Sequence, residues 1–146
     1  MTYIDNMGGI ISAKFILLDE LTSFIVKNDS CELSLSSGAK WKDIDAKARG
    51  INITVEPVRD NAGLIYNITG SILIKKSDEN IPLLRVSQYI ILQYTNTDRI
   101  TNVAGTDEYP LQVTLRPLTP SDAVGFLGYE LEFEGNQLIE PPFLGI

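Results

Sequence analysis

Apolar and polar residues alternate along much of this chain, and the alternation predicts short β-strands. In residues 129–134, Tyr129, Leu131 and Phe133 alternate with three glutamates. Because successive side chains of a strand point to opposite faces, we expect the apolar residues to face a core and the glutamates to face water or a partner. The same period of two recurs in four further segments, at residues 31–36, 51–56, 63–76 and 111–116.

Two segments, residues 12–18 and 88–94, are apolar on both faces. Each is expected to be a central strand covered on both sides, or a strand whose outer face meets another subunit. Asp98 and Arg99 then predict a hairpin turn that leads from the second segment into residues 100–104.

Gly70 interrupts the long strand predicted at residues 63–76. A glycine inside a strand often marks a bulge or a bend, so we expect one of these at Gly70, where the strand would pass between sheets.

Helical patterns are scarce. A short helix is predicted near residues 77–86, with Ser77 as the N-cap and Pro82 at an early helical position. Residues 41–48 favour another helical turn. Together with about eight or nine short strands, these patterns predict an all-β fold, a β-sandwich or small barrel of about eight strands. The prediction is one domain over residues 1–146, with an N-terminal arm at 1–9 and a C-terminal arm at 136–146.

Composition supports a globular chain. Apolar residues make up 44% of the 146 residues, which is enough to bury a sizeable core. No apolar run reaches the ~20 residues of a membrane-crossing helix, and the first residues do not resemble a secretion signal. We therefore expect a soluble product made in the cytoplasm, without membrane association.

The residue inventory excludes most catalytic and metal-binding chemistry. The chain has no histidine and one cysteine, Cys31. Histidine-based triads and metal centres, Cys-His pairs, an internal disulfide and a multi-thiolate metal site are therefore excluded. Cys31 occupies an apolar position of a predicted strand, so we interpret it as a core residue. No catalytic residue, cofactor or metal is expected. A hydrolase that uses carboxylates alone is the weakest alternative.

The net charge of −7 argues against binding to nucleic acid. The basic cluster within residues 40–49 is diluted by two aspartates. We interpret it as a solvated loop or as a contact with an acidic partner, so no specific nucleic-acid binding is expected.

Strand and glycine motifs follow one another in a definite order along most of the chain. They are Gly8-Gly9-Ile10, a polar strand ending near Trp41, the long strand that begins Leu64-Ile65-Tyr66, EYPLQV at 108–113, GYELEFEG at 128–135 and the Pro142-Phe143 tail. This order resembles small virion structural proteins of the neck and tail region, encoded by phages and prophages of Bacteroidetes hosts, including crAss-like phages. The resemblance implies a non-enzymatic protein, located in the virion, that assembles into a homo-oligomeric ring or cap. Its implied partners are further copies of itself and other virion proteins such as portal, neck or tail components.

Candidate interface residues lie in the two arms and in one loop. Apolar tails either fold back on their own domain or reach a neighbouring subunit, and both alternatives are open. The candidates are Tyr3, Ile4, Lys40, Trp41, Lys42, Pro141, Pro142, Phe143 and Leu144.

The acidic strand face formed by Glu130, Glu132 and Glu134 has a separate hypothetical role. It would line a channel, where repulsion keeps passing DNA from sticking. An alternative function for the whole chain is a small β-sandwich module that binds a carbohydrate or another ligand. Trp41, Tyr89 and Tyr94 would then serve as stacking platforms.

Overall fold

The computed structural model describes residues 9–61, 63–118 and 128–144. Within these residues the fold is all-β, as predicted. Eleven strands form one branched sheet, and because the sheet is not closed, the barrel alternative is wrong. The strands are β1 (Ile10–Leu17), β2 (Leu21–Lys27), β3 (Ser30–Leu35), β4 (Lys42–Asp43), β5 (Ala46–Asp60), β6 (Gly63–Lys75), β7 (Tyr89–Asn96), β8 (Thr101–Ala104), β9 (Leu111–Leu118), β10 (Gly128–Gln137) and β11 (Phe143–Leu144). A 3-10 helix (Leu18–Glu20) follows β1, and the α-helix α1 (Ile81–Val86) precedes β7.

Strand β7 is the branch point of the sheet. One edge of β7 pairs with β1, while the other edge is shared by β8 and the start of β9. One branch continues through β9, β10, β6 and β5, and the other continues through β8, β11, β3 and β2. The predicted hairpin between β7 and β8 is confirmed, with Arg99 at a positive φ of 65° in its turn.

Both faces are buried by the chain itself at Ile90–Leu92 of β7 and at Phe15 and Ile16 near the end of β1. Ile90 and Leu92 face the larger core together with Phe15, whereas Ile91 and Ile16 face a smaller core. The hairpin of β2 and β3 covers this second face. The smaller core consists of Ile16, Cys31, Ile91 and Val103, with Phe24, Leu33, Leu35, Trp41 and Leu144 among the residues packed against it. The prediction of a central strand is therefore confirmed for residues 88–94, with the cover supplied within the chain. For residues 12–18 it holds at Phe15 and Ile16 but not at Ser12 and Lys14, which are exposed.

The bulge predicted at Gly70 is wrong. Gly70 pairs in regular register with Phe133 of β10 and Ile53 of β5, and the register shift between β5 and β6 lies between Ala46 and Ile51. A Cβ atom at Gly70 would lie 2.6 Å from Cζ of Phe133 and would also meet the carbonyl oxygen of Asn52. The glycine is required because the Phe133 ring and the Asn52 carbonyl oxygen occupy the space that a side chain would need.

The helix is confirmed, but its predicted N-cap is wrong. Helix α1 begins after Asn80, with Pro82 in its first two positions. The carboxylate of Asp78 is buried and accepts hydrogen bonds from the backbone N–H groups of Asn80 and Asp45. Asp78 therefore organises this turn in place of Ser77. The helical turn expected at residues 41–48 is also wrong, since β4 and the start of β5 occupy that segment.

Candidate docking cleft

The described part of the C-terminal arm lies against its own chain. Strand β10 continues to Gln137, so the arm begins later than the predicted residue 136. Strand β11 pairs with β3 and β8, and the Phe143 N–H donates to the Asp29 carbonyl at 2.7 Å. Pro141 and Pro142 are buried, Leu144 is half-buried and Phe143 is exposed. The structure favours the alternative in which the tail folds back on its own domain. Tyr3 and Ile4 lie outside the described residues.

The loop at residues 40–42 is anchored in the molecule through two of its three residues. Trp41 is half-buried against the smaller core, and Lys40 is exposed. Lys42 Nζ lies 2.6 Å from Glu20 Oε1 and 5.7 Å from the centre of the Phe15 ring. Of the three residues of this loop, Lys40 alone is exposed.

The carboxylate of Glu20 is held in its charged form by this contact. Partial burial raises its pKa, but hydrogen bonds from Lys42 Nζ and the Leu17 N–H, together with the charge of Lys42, outweigh burial. The pKa of Glu20 therefore lies below its ordinary value of 4.5. The Lys42–Glu20 ion pair holds the loop against the 3-10 helix that follows β1. We therefore assign Lys42 a structural role.

The predicted acidic face lies on the outward side of β10. The alternation is confirmed, because Leu131 and Phe133 are buried while Glu132 and Glu134 are exposed. Glu130 Oε1 lies 2.6 Å from Arg116 Nη2 on β9, so that charge is compensated within the sheet. Glu132 and Glu134 form no ion pair within the part of the chain that the structure describes.

A cleft of about 790 Å³ opens where the core meets the C-terminal arm. Its walls come from the β5–β6 hairpin, the β7–β8 hairpin, the ends of β1 and β2, and the arm itself. The residues that line it are Ile10, Val26, Asn28, Asp29, Ile53, Val55, Leu64, Tyr66, Tyr94, Asn96, Asp98, Ile100, Asn102, Leu138, Ile139, Glu140, Pro141, Pro142 and Phe143.

The apolar wall of the cleft is a continuation of the larger core. Strand β10 pairs with β6 only as far as Tyr66, so Leu64 and Ile65 have β5 as their single strand neighbour among the described residues. The face of β6 that carries buried Ile68 and Ile72 continues through Tyr66 and Leu64. The core face of this hairpin thus extends beyond the end of β10, the strand that pairs with β6.

The charged residues that line the cleft are acidic. They are Asp29, Asp98 and Glu140, here called the rim, and no lysine or arginine is among the lining residues that the structure describes. None of these three carboxylates forms an ion pair with a residue that the structure describes. The amides are partly engaged, since Asn102 Nδ2 donates to the Pro141 carbonyl and Asn96 Oδ1 accepts from the Asp98 and Ile100 N–H groups.

The three aromatic platforms proposed for a ligand are not brought together. Tyr94 lines the cleft beside Tyr66, whereas Tyr89 lines a shallow hollow with Leu17 and Leu18. Trp41 packs against the smaller core. The second tyrosine of the cleft, Tyr66, was not predicted, and the signal that could have shown it is the length of the alternating run at 63–76.

No cluster of metal-ligating side chains occurs within residues 9–61, 63–118 and 128–144. No helix in the described ranges is long and apolar enough to cross a membrane. Comparison of the chain with protein-family models, with curated proteins and with solved structures gives no match.

Proposed function

We propose that this chain is a structural protein of a phage virion, a component of a ring or cap in the neck or tail that acts through protein–protein contacts. The observation that carries the proposal is the gathering of exposed apolar side chains in one cleft. Five large apolar residues that are between 37% and 59% exposed line it: Val26, Leu64, Ile100, Leu138 and Phe143. Contiguous exposed apolar surface with a polar rim marks interaction sites.

An open strand edge supports the same proposal. Strand β2 is the last strand of its branch, so its outer edge has no strand partner among the described residues. Ile25 and Val26 are exposed on this strand, and Lys27 at its end is its single charged residue. An edge with so little protection is suited to pairing with a strand of another subunit.

The acidic face of β10 fits a position beside transiting DNA. Glu132 and Glu134 carry charges that no described residue compensates, and their strand is backed by the larger core. Replacing both with lysine is expected to slow DNA ejection from intact particles, because the lumen would then attract phosphate. The matched control is Glu32→Lys with Glu79→Lys, two exposed positions outside β10. Unchanged ejection rates in the β10 variant would contradict the lumen position.

The direct test of the proposed function is location. Particles of the phage that encodes this chain are purified, labelled with an antibody against it and imaged in negative stain. Label at the neck or along the tail supports the proposal. Complete, infectious particles that contain none of the protein would overturn it.

A second candidate function is binding of a carbohydrate. Tyr66 and Tyr94 both line the cleft, together with the amides of Asn28, Asn96 and Asn102. Aromatic faces with nearby amides suit the apolar and hydroxyl surfaces of a sugar. Specific retention of the purified monomer on a glycan array, lost in Tyr66→Ala, would favour this function over the structural one.

A further inference from the structure

The charges that line the cleft indicate the chemistry of the partner that would bind there. We propose that the cleft is the docking site for an extended peptide segment of another virion protein, one with apolar side chains flanked by lysine or arginine. This inference rests on the proposed structural function and names the partner of that surface.

The shape of the cleft favours an extended peptide. Its exposed apolar residues come from separate elements, with Val26 on β2, Leu64 on β6 and Phe143 on the C-terminal arm. An extended chain places side chains at regular intervals and can contact such dispersed positions at once. The strand edge at Leu64 and Ile65, beyond the last β10 pair, offers backbone groups to an added strand.

The charges favour a basic occupant. Asp29, Asp98 and Glu140 line the cleft together with apolar residues, and their carboxylates form no ion pair with a described residue. Lys27 and Arg99 are neighbours of the rim in sequence, but neither lines the cleft. A basic peptide compensates the rim charges, whereas an acidic one would place like charges together at a desolvated surface.

The same charges argue against the chain's own N-terminal segment as the occupant. Ile10 lines the cleft, so the residues that precede it in sequence are an alternative occupant to consider. However, residues 1–8 contain Asp5 and no lysine or arginine. Asp5 would add a fourth negative charge to the acidic rim, so complementarity requires a different chain.

The experiment is a selection from a display library of random linear peptides on the immobilised full-length protein. Peptides that bind are counted before and after counter-selection on Leu64→Asp, which puts a charge on the apolar wall. We expect the peptides enriched on the wild-type protein to combine apolar residues with lysine or arginine. These peptides should not bind the Leu64→Asp variant. Enrichment of acidic sequences, of sequences like residues 1–8, or of none would overturn the proposal.

A charge-neutral variant keeps the test independent of folding. In Asp29→Asn, Asp98→Asn and Glu140→Gln combined, the cleft keeps its shape, and no described hydrogen bond depends on these three carboxylates. Affinity for the enriched peptide, measured by fluorescence anisotropy, is expected to fall about tenfold, which corresponds to about 1.4 kcal/mol. The control combines Glu79→Gln, Glu132→Gln and Glu134→Gln, which lie outside the cleft and should leave affinity unchanged. Equal loss in both variants would contradict a specific role for the rim.

Failure of this inference is distinguishable from failure of the proposed function. If antibody label lies at the neck or tail but the cleft selects no basic peptide, the structural function holds and the assigned partner chemistry is wrong. If the protein is missing from infectious particles, the proposed function fails whatever the cleft binds.

Discussion

Removal of residues 141–146 tests whether the C-terminal arm is part of its own domain. Besides the pairing of β11 with β3 and β8, three hydrogen bonds tie the described part of the arm to the rest of the chain: Phe143 N–H to the Asp29 carbonyl, Val103 N–H to the Pro142 carbonyl, and Asn102 Nδ2 to the Pro141 carbonyl. At about 1 kcal/mol each they contribute about 3 kcal/mol, and burial of Leu144 and the two prolines adds about 2 kcal/mol. The loss of conformational entropy when these residues are ordered offsets part of this stabilisation. The loss is smaller than usual because the φ angle of proline is already restricted. We expect a net loss of about 2 kcal/mol in the free energy of unfolding.

Two reporters inside the chain follow this change. Trp41 is the single tryptophan and packs against the smaller core, so its fluorescence reports urea unfolding. Cys31 is buried in the same core, where burial raises the pKa of its thiol to about 11. Because the thiol reacts only when the core opens, a loss of about 2 kcal/mol should speed its modification by Ellman's reagent about thirtyfold at pH 8.

The result that refutes the reasoning is a truncated chain with the unfolding midpoint and thiol reactivity of the full chain. Such a chain would mean that the arm contributes nothing to its own domain and is free to bind a neighbour. The control is Phe143→Ser, which keeps the backbone bonds and removes an exposed side chain. It should change stability by less than about 1 kcal/mol.

Three further predictions concern the core and the loop. Gly70→Ala should destabilise the fold by about 3 kcal/mol because its Cβ meets the Phe133 ring; urea unfolding beside the outward-facing control Thr69→Ala checks this, and equal midpoints would refute it. Ile91→Ala should cost about 2–5 kcal/mol by opening a cavity in the smaller core, against about 0.5 kcal/mol for exposed Ile11→Ala. The Glu20 pKa is lowered on folding, so its contribution is present above pH 4.5 and is lost as pH falls through the folded value. Glu20→Gln should therefore lower stability by less than about 1 kcal/mol at pH 7, and by less as the pH falls below 4.5, as unfolding measured across this pH range will show.

The fold class could be predicted from the alternation of apolar and polar residues, because a strand buried on one face shows this alternation in its own sequence. Leu131 and Phe133 are buried beside exposed glutamates, as the alternation predicts. Strands buried on both faces were also recognisable, since Ile90, Ile91 and Leu92 form a continuous apolar run. In both cases the burial of a residue can be inferred from the residues next to it in the sequence.

The cleft and the arm were not predictable because they depend on pairings between distant segments. The length of the β5–β6 hairpin beyond Tyr66 matters only because β10 stops there. Likewise, the Pro141-Pro142 pair alone predicts only an extended tail. Its burial depends on the pairing of the next strand, β11, with β3 and β8. Gly70 was misinterpreted for the same reason, since the cause of the glycine is a ring on another strand.

The parallel pairing of β11 with β3 has a consequence for how the protein is synthesised. Ser30 must wait for Phe143 before its strand has this neighbour, and β1 must wait for β7. A nascent chain therefore cannot enclose all of these hydrophobic segments until Phe143 and Leu144 have been synthesised, and chains rich in such distant pairings fold slowly. Expression at reduced temperature or with added chaperones should raise the recovered yield.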